Sequence, residues 1–329
     1  MKKIINNPND VVSECLCGLA ESEPGLEYIP GAEVIARRER RRGKVGVITG
    51  GGSGHEPAFA GYVGPGLLDV AVAGNMFSSP SPDRIIKGIE VADGGAGVLM
   101  VIMNYSGDIM NFDMAKDMAG MDGIPVETVV VRDDVAVPDS TYSTGRRGIA
   151  GTLFVHKIAG AKAEAGGNLE EVKAVAEKAA SRIRSMGMAM TPCTLPAVGK
   201  PGFVLEDDEI EIGMGIHGEP GIERTAVKTA RELARILTDK ICGDFDYTGS
   251  EIALMVNGLG GTPLMELYIL NHEVQSCLAS RGIRVYRTFV GNYMTSVEMA
   301  GCSLTFMKLD QELKELLDTP CAAAAWKQL

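Results

Sequence analysis

Two histidines set in glycine frames, and one aspartate at the end of an apolar run, carry the chemistry this sequence could perform. The first frame is Thr49-Gly50-Gly51-Gly52-Ser53-Gly54-His55-Glu56-Pro57, and the second is Gly213-Met214-Gly215-Ile216-His217-Gly218-Glu219-Pro220-Gly221. Glycines at the end of a strand let backbone N–H groups come close to a phosphate or a small polar molecule. A neutral imidazole is a competent nucleophile and proton carrier. Each histidine is followed within two residues by Glu-Pro, a coincidence that a lone structural histidine would not show. The first frame is no Walker A loop, because no Gly-Lys-Ser/Thr follows, and His55 stands where a dinucleotide fingerprint needs its third glycine. A tight turn in which His55 caps the next helix is its plain structural alternative. The second frame formally matches G-x-G-x-x-G, with a strand expected before it and a helix after. Pro220 and Gly221 delay that helix past the third glycine, so a nicotinamide-dependent dehydrogenase is the least supported reading.

The aspartate is Asp108, in Asn104-Tyr105-Ser106-Gly107-Asp108. A carboxylate on a strand-end loop can accept a proton from a substrate hydroxyl, and the same residue can N-cap a helix over Ile109–Met121. Other candidates carry less. Arg37–Lys44 reads as a solvated basic edge, His156 as a packed helix residue and His272 as an exposed residue after a helix. Met110, Met114, Met118 and Met121 fall at helical spacing and read as core filler. No set of His, Cys or carboxylates has metal-ligand spacing.

The elements that must hold these residues alternate. Val45–Thr49 and Val70–Ala73 read as strands, Pro82–Ala92 as a helix with proline in its first turn, and Gly97–Asn104 and Val126–Val131 as further strands. Two helical stretches follow from about Ile149 to Met186, broken at Gly166-Gly167-Asn168. Beyond Thr191-Pro192 the texture changes to short strands at Phe203–Leu205 and Ile210–Met214, a helix near Thr225–Thr238, and strands at Ile252–Val256, Gly282–Val290 and Ser303–Leu309. The pattern predicts an α/β fold. A doubly wound, mostly parallel sheet would form domain 1–186, carrying His55 and Asp108, and a smaller α/β domain would form 187–329, carrying His217.

Composition narrows the partners. The chain has 329 residues, a net charge of −11 and 45% hydrophobic residues, which suits two globular domains and disfavours nucleic acid or an anionic membrane as a partner. Seven cysteines without a C-x-x-C pair, no leader-like apolar stretch and no membrane-length apolar run point to reduced thiols in the cytoplasm.

Together, Gly50–Pro57, Asn104–Asp108, the segment Pro192–Pro201, Gly215–Gly221, Val256–Leu267 and Gly291–Ser303 resemble the dihydroxyacetone kinase substrate-binding subunit over essentially the whole chain. The resemblance implies a homodimer that binds dihydroxyacetone or a related short ketose as a hemiaminal on His217. It makes His55 a substrate hydrogen-bonding and proton-transfer residue and Asp108 the base for the attacking hydroxyl. Gly52, Ser53, Gly54, His55, Met103 and Asp108 would line the pocket. It further implies that this chain binds no nucleotide or metal. ADP or ATP and magnesium would belong to a separate helical kinase subunit, recharged from phosphoenolpyruvate through a phosphotransferase relay, since 329 residues leave no room for the fused arrangement. Many members of the family carry lysine just before the Asn-Tyr-x-Gly-Asp segment, where this chain has Met103. A lysine offsets phosphoryl charge and a methionine does not. Preference for a tetrulose, a charge borrowed from the partner, and a ketose-sensing paralogue that works on a transcription regulator all accommodate that change.

Overall fold

The computed structural model describes residues 2–138 and 145–329. The chain begins α1 (Val11–Ser22), β1 (Leu26–Ile29), β2 (Val34–Arg37), β3 (Gly46–Ser53), β4 (Val70–Met76), α2 (Pro82–Ala92), β5 (Val98–Met103), α3 (Ser106–Met121), β6 (Val126–Val131). It continues α4 (Thr152–Glu164), α5 (Leu169–Ser181), β7 (Ile183–Ala189), β8 (Glu209–Ile212), β9 (Glu223–Ala226), α6 (Ala230–Asp244), β10 (Glu251–Gly258). It ends α7 (Leu264–Ser280), β11 (Arg284–Gly291), β12 (Gly301–Leu309), α8 (Gln311–Asp318), β13 (Cys321–Ala323), β14 (Trp326–Gln328).

Two compact units form from this order. The first takes Met1–Val131, Thr152–Ser181 and Glu312–Leu329, and the second takes Arg132–Gly151 and Arg182–Gln311. The expected single cut at 186/187 therefore does not hold. It falls inside β7, whose ladder with β12 belongs wholly to the second unit, and the last eighteen residues return to the first. Ile183–Met186 is strand and not the end of a helix, because that ladder takes up its backbone groups.

In the first unit the sheet order is β1-β2-β4-β3-β5-β6, with β3 central and parallel to both β4 and β5. Continuous burial of β3 and β5 reflects cover on both faces. Ile85 and Ile89 of α2 and Phe112, Ala115 and Ala119 of α3 share one apolar cluster with Ile48, Met100 and Ile102. Helices α4 and α5 contact β3, β5 and β6. The start of β3 is fixed by the buried carboxylate of Asp69, which accepts from the Val47 N–H at 2.9 Å, Lys44 Nζ at 2.5 Å and Arg37 Nη1 at 3.0 Å. Arg37 also reaches Glu164 at 2.9 Å, so the ends of the basic run Arg37–Lys44 are buried ion-pair partners, while Arg38 and Arg40–Arg42 are exposed as expected. The C-terminal segment closes the unit. Trp326 stands edge-on to Tyr62 and Phe154, the Ala322 N–H donates to the Pro65 carbonyl, and buried Lys157 donates to the carbonyls of Leu316 and Thr319.

In the second unit the order is β11-β10-β12-β7-β8-β9, mixed in direction, with α6 and α7 packed on it. A capping box, in which the Thr229 side chain and Glu232 satisfy each other's backbone N–H groups, starts α6 at Ala230 and corrects the earlier start expected near Thr225. Phe203–Leu205 forms no strand, and His272, exposed as expected, lies within α7.

Helix α3 differs most from its sequence pattern. Met110, Met114, Met118 and Met121 are exposed, and the buried stripe is Asp108, Phe112, Ala115 and Ala119. Both sets repeat at helical spacing, so periodicity marks two stripes and does not say which faces in. Phe112→Ala is expected to lower unfolding free energy by about 3–5 kcal/mol, and Met114→Ala by less than about 0.5 kcal/mol. Urea unfolding of the two variants checks this, and equal losses would contradict the orientation of α3.

Candidate functional site

The first histidine sits where β3 runs out between β4 and β5. Its glycines are demanded by packing. A Cβ at Gly50 would lie 2.6 Å from the Val72 carbonyl oxygen and 2.9 Å from the Phe112 ring, and one at Gly52 would lie 2.6 Å from the Ser78 nitrogen. At Gly51 the obstacle is the Phe59 ring and at Gly54 the Phe77 ring, with Gly54 also left-handed at φ +106°. Register slips between Gly51 and Ser53 along β4, so Gly52 is the irregular residue where the strand leaves its ladder. His55 is thereby drawn fully inside, stacked on Phe77 with ring centroids 5.0 Å apart and planes 11° from parallel. The Gly54 N–H is taken by the Glu56 carboxylate at 3.0 and 3.1 Å, and the Ser53 hydroxyl by the Gly74 carbonyl at 2.8 Å.

Asp108 lies at the end of the neighbouring strand. It is buried in the first turn of α3, with Tyr105 in the cap position and not Asp108 as expected. One carboxylate oxygen accepts from the Ser79 hydroxyl. Asn111, on the same helix, donates to the Pro80 carbonyl at 2.8 Å and so ties the loop after β4 to α3. Ser79 is a residue that sequence reasoning missed; its position beyond β4, next to two other strand ends, was its only signal. The carboxyl ends of β4, β3 and β5 thus bring Phe77, Ser79, His55 and Asp108 together in the first unit. Met103 ends β5 and is buried. His156 is fully buried beside Phe59, and burial holds its ring neutral with a pKa pushed down to about 3.

His217 belongs to the second unit. Its frame is the turn between β8 and β9, which pair antiparallel, so a strand and not a helix follows and no dinucleotide fingerprint exists. Gly213 and Gly218 are left-handed at φ +80° and +83°. Arg147 fixes the entry, binding the Asp134 carboxylate at 2.7 Å and the Gly213 carbonyl at 3.0 Å. Gly215 has no side chain because Glu219 folds back beneath it, and a Cβ there would lie 2.0 Å from Glu219 Oε2. From that place Glu219 Oε2 accepts the His217 backbone N–H at 2.9 Å, and Oε1 meets His217 Nδ1 at 2.9 Å. Burial would raise the Glu219 carboxyl, but the hydrogen bonds and charge of His217 outweigh it and bring the pKa to about 2. An ionised carboxylate only accepts, so Nδ1 carries the proton that faces Glu219, and Nε2 is the ring nitrogen outside the clamp. Glu219 was also missed as a site residue, although the Glu-Pro after each histidine was its trace. Among the described residues no cluster of three His, Cys, Asp or Glu side chains could hold a metal, and no helix is long and apolar enough to cross a membrane.

The chain is similar to known proteins over nearly its whole length. The Dak1 domain family matches residues 17–325. A Listeria innocua serovar 6a protein, the dihydroxyacetone-binding subunit DhaK of PTS-dependent dihydroxyacetone kinase 1, is 51% identical over 99% of this chain and 100% of its own length. The structure of the dihydroxyacetone kinase operon co-activator Dha-DhaQ superimposes with TM-score 0.91 at 37% identity, over 96% of this chain and 98% of that one. The dihydroxyacetone kinase from C. freundii in complex with AMP-PNP and Mg2+ superimposes with TM-score 0.90 at 35% identity, over 99% of this chain and 61% of that one.

Glu219 sets a pH signature. Its folded pKa of about 2 lies below the ordinary 4.5, so its contribution to stability is complete above 4.5 and is lost as pH falls toward 2. The stability gap between the wild type and Glu219→Gln, read from urea midpoints, should close as pH falls below about 4.5 toward 2. A gap that stays open as pH falls toward 2 would exclude the ionised clamp.

Proposed function

This chain belongs to the Dak1 family, and on that premise we propose that it is the ketose-binding subunit of a dihydroxyacetone kinase that captures its substrate on His217. The observation that carries the reading is the Glu219 clamp, which presents Nε2 as a nucleophile of fixed orientation. Nε2 bonds to the ketone carbon, the C=O π pair moves to oxygen, and that oxygen takes up a proton. Positive charge arising on the ring stays against the Glu219 carboxylate. Covalent capture selects a ketose over glycerol, which offers hydroxyls but no carbonyl, and supplies binding that so small a ligand lacks.

We assign proton transfer to His55, whose ring is held flat on Phe77, and the base role to Asp108, whose rotamer is set by Ser79. As the substrate hydroxyl attacks phosphorus, Asp108 takes its proton. Gly52, Ser53, Gly54 and Met103 complete the lining in this reading, with Met103 offering an apolar wall that suits a four-carbon ketose as well as a three-carbon one. The phosphoryl donor, ATP formed from bound ADP and held with magnesium, belongs to a separate helical kinase subunit recharged from phosphoenolpyruvate. We further assign a homodimer and a cytoplasmic location, where seven free thiols persist. A ketose-dependent co-activator is the second reading. Met103 favours it, because sensing needs capture but no charge beside a phosphoryl group.

The test is intact mass and peptide mapping after incubation with dihydroxyacetone or erythrulose. An adduct on the His217 peptide is expected, lost in His217→Ala. Asp108→Asn should keep the adduct while phosphoryl transfer with the kinase subunit falls about 10²–10⁴-fold. A wild type that captures ketose but never transfers phosphate would favour the co-activator, and absence of any adduct would refute both readings.

A further inference from the structure

The exposed face of α3 has no role in the reaction just described. Met110, Asp113, Met114, Asp117, Met118 and Met121 all lie in solvent, with Met110 65% and Met121 85% exposed. At 100° per residue they occupy one arc of the helix, a methionine ridge about 17 Å long with the two aspartates along one edge. Neither aspartate forms an ion pair among the described residues, although the same helix pairs Lys116 with Glu127. A monomer rarely leaves so much contiguous flexible apolar surface in water. The ridge starts in the turn that follows Asp108, whose carboxylate faces inward from the same helix.

We propose that this face docks the nucleotide-carrying kinase subunit, which meets it with apolar side chains bordered by lysine or arginine. The inference rests on the kinase reading above. Two observations select this occupant. The C. freundii kinase, solved with AMP-PNP and Mg2+, extends well beyond the 61% of its length matched here, which leaves room outside the matched part for the nucleotide that the kinase reading assigns to a separate subunit. That subunit must also reach the hydroxyl that Asp108 deprotonates, and α3 is the element that joins Asp108 to the surface. The unpaired acidic edge, in a chain of net charge −11, then suits a basic counterpart and excludes a second copy pairing through like charges.

The test uses the full chain and the ADP-loaded helical kinase subunit, with binding followed by calorimetry and ketose capture by intact mass. Met114→Lys/Met118→Lys should keep the His217 adduct and weaken subunit binding about tenfold or more. Asp113→Lys/Asp117→Lys should also keep the adduct, and should flatten the salt dependence of binding. If both variants bind the kinase subunit as the wild type does, the docking surface is overturned while the kinase reading stands. Sedimentation showing a wild-type dimer that Met114→Lys/Met118→Lys dissociates, with subunit binding unchanged, would overturn it in favour of a second copy. A wild type that takes up no ketose would overturn the kinase reading and the docking surface with it.

Discussion

The first unit is organised by a steric demand: at the end of β3 there is room for a hydrogen atom and nothing larger. The Val72 carbonyl, the Phe112 ring and the backbone of Phe77–Ser78 stand where the side chains of residues 50 and 52 would be. Because the strand is bare, the helix face carrying Phe112 can settle against it and the loop after β4 can fold over it. That loop brings Phe77 under His55 and Ser79 to Asp108. A methyl group in this place would separate three strand ends at once, since β3 is the central strand and its neighbours hold the other groups.

The two histidine frames look alike in sequence and do different physical work. In the first, glycine lets protein close in until a histidine is fully buried. In the second, Gly215 makes space for a carboxylate that turns back under its own loop and grips the imidazole and the backbone beside it. The first produces a ring in a fixed stack. The second produces a ring with a fixed tautomer, still partly open to solvent. A nucleophile needs access and a defined lone pair, and a proton-handling ring needs a defined plane, so the division matches the roles assigned to His217 and His55.

Much of this was legible in the residues. The strand-helix alternation from Val45 through Val131 read correctly because β3, β4 and β5 are short apolar runs closed by glycine or asparagine and β6 is rich in β-branched residues, and Pro82 marked its helix start to the residue. The motifs of both frames and of Asn104–Asp108 led to the family that residues 17–325 match. What was not legible depended on long-range partners. Ile183–Met186 is as apolar as a helix end and becomes strand only because β12, more than a hundred residues on, pairs with it. Ser79 gains its meaning from a contact across 29 residues of sequence. The α3 methionines and its Phe112 stripe share one period, and only the sheet decides between them. Strand β8 was legible, but its hairpin partner after His217 was hidden because a four-residue strand such as β9, ERTA, scarcely differs in pattern from the loops around it.

The return of the last eighteen residues to the first unit gives the chain a particular birth order. Trp326 packs on Tyr62 and Phe154, and Lys157 finds its acceptors on Leu316 and Thr319. The second unit lies almost wholly between Arg182 and Gln311, so a ribosome delivers it complete while the first still lacks its closing piece. At about 5–20 residues per second, the roughly 130 residues from Arg182 to Gln311 take some 6–26 seconds to emerge. For that interval an aromatic cradle and a buried ammonium wait in the nascent first unit with nothing to cover them. The time the newborn chain depends on chaperone cover is then set by the length of the inserted unit and not by the speed at which either unit folds.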